Sequence, residues 1–391
     1  MEIARALQQV PSSYIREILA AASDENVISL AGGLPDKSTF PIELMKQTLT
    51  DLASMPEVFQ YGATAGYQPL IDFLHEYFSL PSSHGAMVCT GSQQGLDLIA
   101  RAYVNPGDQV VMEAPSYLGA MQVFGLAGAD IITVEQNQAG PDLDSLEACF
   151  AQQSPKMFYA VPDFHNPTGV CWTLETRKKV GELCQRYNVV LIEDAPYREL
   201  RFSGEALPLV SDFCSMHSIV LRSFSKIASP GLRIGIVSGQ HRDLEPLIKI
   251  KQGADLHSSI PMQALLLGLL KHPEFEQHIA TVRALYQTRF EVMLTQLNQQ
   301  LPVGCEAKPV EGGMFIWLTL PPCDTFAVAK LLLKQGVAVV PSPVFYPDAN
   351  QARAALRLNF TNATPQELKI AIERLVAGLN HSIEQPELAN M

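Results

Sequence analysis

A few residues in this chain have types and spacings that could do chemistry together. Lys226 sits in Ser223-Phe-Ser225-Lys226, just after the apolar run 218–222. A lysine amine can attack a carbonyl carbon and can carry a proton. Asp194 belongs to Asn188-Val-Val-Leu-Ile-Glu-Asp194-Ala-Pro-Tyr197, a buried-strand pattern ending in a carboxylate with a tyrosine three residues on. Arg233 lies seven residues beyond Lys226 and is expected to open the run 233–238. Asn166-Pro-Thr-Gly169 follows the run 157–161, and Arg357 stands on one face of an alternating strand, Ala355-Leu-Arg-Leu-Asn-Phe360. Each has a plainer reading in isolation. Asp194 could cap a helix, Lys226 could be a solvated loop residue, Asn166–Gly169 could be a type I or II turn, and Arg357 could face solvent. Taken together, they put a carboxylate, a lysine, an asparagine and an arginine at or after strand ends.

The elements that must position them are legible. Seven β-rich runs, 87–90, 109–113, 130–134, 157–161, 189–193, 218–222 and 233–238, alternate with helical stretches, most clearly 93–103, 117–126 and 174–187. Apolar strands alternating with helices imply an α/β domain whose mostly parallel sheet is buried on both faces. Functional residues then belong at the carboxyl ends of the strands. Beyond Gly239 the pattern changes: a long helix over 273–298, strands near 314–318, 337–340 and 355–360, and helices over 325–334 and 365–379. This predicts a smaller α+β domain over 281–391, with 51–280 as the large domain and 1–50 joining the small one.

Composition excludes several classes. There are 28 Lys+Arg against 40 Asp+Glu, a net charge of −12, and no basic run, so a nucleic-acid partner is not expected. Apolar residues are 47% of the chain and charged ones 17%, enough to bury a core and too few charges for disorder. The longest apolar stretch, around 264–270, is far short of a membrane span. Glu2, Arg5, Gln8 and Gln9 stand where a signal peptide would be apolar. Seven scattered cysteines without a Cys-x-x-Cys pair suit reduced thiols and a cytoplasmic location. No histidine spacing suggests a metal site.

The set of motifs resembles the fold-type-I pyridoxal-phosphate enzymes of the aminotransferase class I/II family, and within it the branch containing 2-aminoadipate and kynurenine aminotransferases. Supporting stretches are Ile28-Ser-Leu-Ala-Gly-Gly-Leu-Pro35, Gln60-Tyr61-Gly62, Thr90-Gly-Ser-Gln-Gln-Gly95, Glu113-Ala-Pro-Ser-Tyr117, Gly312-Gly-Met-Phe-Ile-Trp317 and Leu356-Arg357-Leu358. The resemblance implies a large domain with a seven-stranded, mostly parallel sheet. It also implies pyridoxal 5'-phosphate as cofactor and amino-group transfer from an L-amino acid to a 2-oxo acid in two half-reactions. Lys226 would form the Schiff base and shuttle the substrate proton. Asp194 would pair with the ring nitrogen, and Asn166 and Tyr197 would bind the ring 3′ oxygen. Tyr117 would stack on the ring. Ser92 and Gln93, at a helix start after Gly91, would join Ser223, Ser225 and Arg233 around the phosphate. Tyr61 would reach the phosphate of the other subunit in a homodimer.

Arg357, helped by Asn166, would take the substrate carboxylate, and Gly33 would let the N-terminal segment close over it. Arg16 would face an acidic side chain, favouring glutamate or 2-aminoadipate beside large apolar and aromatic donors. Two departures bear on side-chain preference: His165 stands where relatives often carry Gln, and Ile260-Pro261 where a polar residue is common. A carbon–sulfur β-lyase would use the same Lys, Asp and Arg. A regulator carrying this domain behind a winged helix is not expected, because the first family motif begins near residue 28.

Overall fold

Side chains of the large sheet alternate between two apolar layers. The computed structural model describes residues 26–384 together with Glu2, Ile3, Leu7, Tyr14, Ile18 and Asp24. Strand β1 (Ile28–Ser29) stands apart from this sheet. The sheet contains β2 (His84–Cys89), β3 (Gln109–Ala114), β4 (Asp130–Asn137), β5 (Gly140–Pro141), β6 (Met157–Ala160), β7 (Val190–Asp194), β8 (Ser218–Ser223) and β9 (Gly235–Gln240). Their order is β2-β9-β8-β7-β6-β3-β4-β5. Strands β3, β4, β6, β7 and β8 run parallel; β9 is antiparallel to β2 and β8.

The period-2 pleat explains why these strands read as continuous apolar runs. Val110, Met112, Met157, Tyr159 and Ile192 enter one core, while Val111, Phe158, Ala160 and Leu191 enter another. The first core is covered by helices Ser92–Tyr103, Leu118–Leu126 and Ile260–Lys271, the second by Leu143–Gln153 and Leu174–Tyr187. Local signals fix the helix ends. Asp142 accepts from the Ser145 amide, and Asn188 ends Leu174–Tyr187 in the left-handed conformation.

Two strand expectations are corrected. Seven runs match seven strands, but an eighth, β5, pairs antiparallel with β4 as a short hairpin return. Arg233 does not open β9. It caps the turn Pro230–Leu232 at φ 54°, and the strand starts two residues later, at Gly235. The turn from Pro230 onward forces that left-handed step.

The smaller lobe holds β10 (Glu306–Ala307), β11 (Phe315–Thr319), β12 (Val337–Ala338), β13 (Val340–Pro341) and β14 (Ala355–Asn359). The antiparallel order is β10-β11-β14-β13. Residues 28–30 lie against this lobe: β1 pairs parallel with β12, and the Asn359 amide donates to Leu30 O at 2.8 Å. Helix Phe275–Gln300 runs straight across position 280 and links the lobes. Thr364 and Glu367 form a reciprocal capping box at the start of Pro365–Glu384. The seven cysteines are all free, and no described helix is long and apolar enough to cross a membrane.

Candidate active site

One cavity of about 510 Å³ opens at the carboxyl ends of β6, β7 and β8. Of the predicted site residues that the structure describes, all line it except Tyr61. Its floor is the large sheet. Asp194, the last residue of β7, is 2% exposed. Its Oδ2 accepts from Tyr159 Oη at 2.9 Å, and its Oδ1 has no hydrogen-bond partner among the described residues. Burial pushes this carboxyl up to about 7, against the Tyr159 hydrogen bond.

Lys226 ends the turn Phe224–Lys226 after β8; Ser223 Oγ accepts from the Ser225 amide at the start of that turn. Burial, with Arg357 and Arg233 nearby, pulls the amine down to about 8. Its Nζ donates to Gly33 O at 2.9 Å.

At one end the donors converge as an anion cradle. Ser92 and Gln93 are the first residues of a helix, where amides have no intrahelical partner. Gly91 caps that helix at φ 78°, and a Cβ on it would lie 2.6 Å from Arg233 Nη2. Gly235 is equally constrained: a Cβ there would meet the Ser92 amide at 2.5 Å. Two glycines thus let β9, the helix start and Arg233 close on one point. Gln93 Oε1 accepts from Tyr117 Oη at 3.1 Å, which sets the tyrosine over the cavity from the other side.

The small lobe supplies the roof. Arg357 is 3% exposed, not solvated, because β14 is buried along its whole length. Its Nη1 donates to Asn166 Oδ1 at 2.8 Å and its Nη2 to Ala31 O at 2.6 Å. Phe315 and Phe345 box the guanidinium at 4.4 and 5.0 Å. Asn166 Nδ2 also donates to Tyr197 Oη at 3.4 Å. Burial lowers Arg357 to about 10, so it remains a cation at neutral pH.

Tyr61 is 79% exposed and lies outside the cavity, edge-on to His257. Arg16 lies outside the described residues. Sequence reasoning missed Tyr159. It sits in an apolar strand among core residues, and the only available signal was a hydroxyl near the carboxyl end of β6. It also missed Phe315 and Phe345, which are brought to Arg357 from separate elements. Ile260 packs against the backbone of Gly62, next to Tyr61.

Converging donors, a buried carboxyl with one free oxygen and a lysine at the carboxyl edge of such a sheet are the arrangement that the resemblance to fold-type-I pyridoxal-phosphate enzymes implies. The family model for aminotransferase class I and II matches residues 25–375. An aromatic-amino-acid aminotransferase of Thermococcus litoralis is 33% identical, over 96% of this chain and 93% of its own. The solved kynurenine aminotransferase of Pyrococcus horikoshii, in complex with PMP and kynurenine, superposes with a TM-score of 0.93 at 34% identity, covering 97% of each chain. The α-aminoadipate aminotransferase LysN of Thermus thermophilus, complexed with N-(5'-phosphopyridoxyl)-L-leucine, gives 0.91 at 33% identity, covering 98% of each chain. The chain belongs to the class I and II aminotransferases and is a pyridoxal-phosphate-dependent enzyme.

The residues fit that cofactor. Asp194 Oδ1, without a partner among the described residues, is open to a cation at the cavity floor, and a pyridinium nitrogen would be one. The two-glycine cradle leaves room for a phosphate dianion.

Proposed function

We propose that this enzyme transfers the amino group of large apolar or aromatic L-amino acids, and of 2-aminoadipate or glutamate, to a 2-oxo acid such as 2-oxoglutarate. The observation that carries this reading is the convergence of Lys226, Asp194 and Arg357 on one cavity. The reaction runs in two halves, the first product leaving before the acceptor enters. Bound in the cavity, the cofactor supplies an aldehyde that takes up the amino group and a ring that accepts electrons.

The chain's own residues do the rest. Asp194 holds negative charge at the ring nitrogen. Asn166 and Tyr197 would hydrogen-bond the ring 3′ oxygen, and Tyr117 would stack on the ring. Ser92, Gln93, Ser223, Ser225 and Arg233 hold the phosphate, joined by Tyr61 from a second subunit. Arg357 grips the substrate α-carboxylate, with Asn166 beside it. Ala31 O accepts from Arg357 Nη2 and Gly33 O from Lys226 Nζ, so the 31–33 segment lies against both residues. Lys226 Nζ carries the Cα proton. Its lowered pKa keeps a useful fraction neutral near pH 8.

The described cations of the cavity are Lys226, Arg233 and Arg357, each given a role above. We assign recognition of an acidic side chain to Arg16, on the resemblance given above. Lys226→Ala is expected to abolish turnover with every donor, measured as oxo-acid release. Turnover near the wild-type rate would overturn the assignment. For Arg16→Ala, loss confined to acidic donors supports the specificity role; equal loss on leucine and phenylalanine removes it.

A further inference from the structure

Behind the roof lies a buried polar cluster that the proposed chemistry does not use. Glu113, the penultimate residue of β3, and His165, just before Asn166, are each 1% exposed. Glu113 Oε1 accepts from Gln136 Nε2 at 2.8 Å and from Trp172 Nε1 at 3.1 Å. Gln136 Oε1 accepts from the Thr168 hydroxyl at 2.6 Å. Thr168 Oγ1 lies 3.0 Å from His165 Nδ1.

These contacts fix the proton count. The single hydroxyl proton of Thr168 is spent on Gln136, so His165 Nδ1 must carry the hydrogen of its bond to Thr168. His165 Nε2 then faces Glu113 Oε2 at 3.8 Å, and Oε2 has no hydrogen-bond partner among the described residues. Two lone pairs facing each other at a buried contact are unfavourable. One proton between them turns the contact into a bond once the gap closes by about 1 Å.

We propose that Glu113 carries a proton that it shares with His165 Nε2, closing a ring Glu113–His165–Thr168–Gln136 that positions Asn166 against Arg357. Burial favours this neutral form. It raises Glu113 to about 8, against the Gln136 and Trp172 donors, and lowers His165 to about 3. The groups facing Glu113 are Gln136 from β4, His165 from the loop after β6 and Trp172 ahead of helix Leu174–Tyr187. The nearby Asp163 is paired with Arg177 at 2.7 Å. The loop is closed on itself as well: the Gly169 amide donates to His165 O at 2.6 Å and the His165 amide to Val170 O at 2.8 Å. Asn166 is thus held from one side by the ring and meets Arg357 on the other. Glu113 lies four residues before Tyr117, so the same ring braces the segment that carries the stacking tyrosine. These are positioning residues, and their catalytic effect rests on Arg357 and Asn166 being the carboxylate grip proposed above.

The test pairs a variant that opens the ring with one that keeps it. Thr168→Val removes the hydroxyl at nearly constant volume and is expected to raise KM for the amino donor about 3- to 10-fold while kcat stays within twofold. Glu113→Gln replaces the acid proton with an amide hydrogen and is expected to leave both within twofold. An unchanged KM in Thr168→Val overturns the positioning role. A second readout needs no substrate. The folded protein holds a proton on Glu113 that the unfolded chain releases above its ordinary value, 4.5. Wild-type Tm should therefore fall relative to Glu113→Gln as pH rises from about 5 through about 8. A constant difference across that range overturns the neutral acid. Selective ¹⁵N-histidine spectra at pH 7 should show His165 with one unprotonated nitrogen; an imidazolium would move the proton to His165 and overturn its placement. If instead Arg357→Lys leaves donor KM unchanged, the carboxylate grip fails, and the pH dependence of Tm still reports on the ring.

Discussion

Asp194 and Glu113 are two carboxyl groups at the carboxyl ends of two strands of one sheet. Both are almost fully buried, both are raised by burial to about 7 and about 8, and each has one oxygen without a hydrogen-bond partner among the described residues. What differs is where that oxygen points. Glu113 Oε2 faces a histidine nitrogen inside the protein, with two donors already on its other oxygen. Asp194 Oδ1 belongs to a residue lining the open cavity, with a single tyrosine donor on its partner oxygen. Burial alone therefore does not mark a functional carboxylate. An internal proton can complete Glu113, whereas the free oxygen of Asp194 stands at the cavity, open to the cation proposed for it above.

The comparison breaks most sharply under the same substitution at both sites. Asp194→Asn removes the charge opposite the ring nitrogen, and kcat/KM is expected to fall about 10³-fold with weaker cofactor retention. Glu113→Gln should change kcat/KM by no more than about twofold. Equal losses would mean that the two carboxyls play the same part. Tyr159→Phe probes the donor that distinguishes Asp194. A hydrogen bond to a charged group is worth about 1.5–3 kcal/mol, so cofactor affinity should fall at least about tenfold, measured by spectrophotometric titration.

The smallest effect is a pH dependence that separates the two groups. In the cofactor-free protein, Asp194 has a folded-state value near 7 against 3.8 for the free side chain. Its contribution to stability is complete below about pH 4 and is lost as pH rises through about 7. Cofactor loading supplies the cation and should remove this slope, while the slope from Glu113 persists. Tm against pH for loaded and unloaded protein checks this; a Glu113 slope that also vanishes on loading would merge the two sites.

How much was legible in the sequence follows the same division. Asp194, Lys226, Ser223 and Ser225 sit at strand ends that alternating apolar runs mark directly, and helix 174–187 matches the structure to the residue. The cradle could be placed but not shaped. Arg233 reads as the start of a strand because Arg-Ile-Gly-Ile-Val is β-rich, yet the preceding Pro-Gly turn holds it in a left-handed cap. Arg357 reads as a half-exposed strand residue because alternation reports one face only, and the second covering layer comes from Phe345 and residue 31. The Glu113 ring was out of reach altogether. Its members are separated by up to 55 positions in the chain (113 to 168) and meet only through tertiary packing.

The central claim is that this cavity moves an amino group through a cofactor held opposite Asp194. The most direct measurement is a single half-reaction followed in the visible spectrum. Loaded enzyme is mixed with phenylalanine, leucine, 2-aminoadipate or glutamate in turn, and then with 2-oxoglutarate. The account predicts that the visible band of the loaded enzyme is lost with donor and restored by the 2-oxo acid, with Asp194→Asn far slower and Glu113→Gln unchanged. A band that never converts with any of these donors in folded, loaded protein would contradict it.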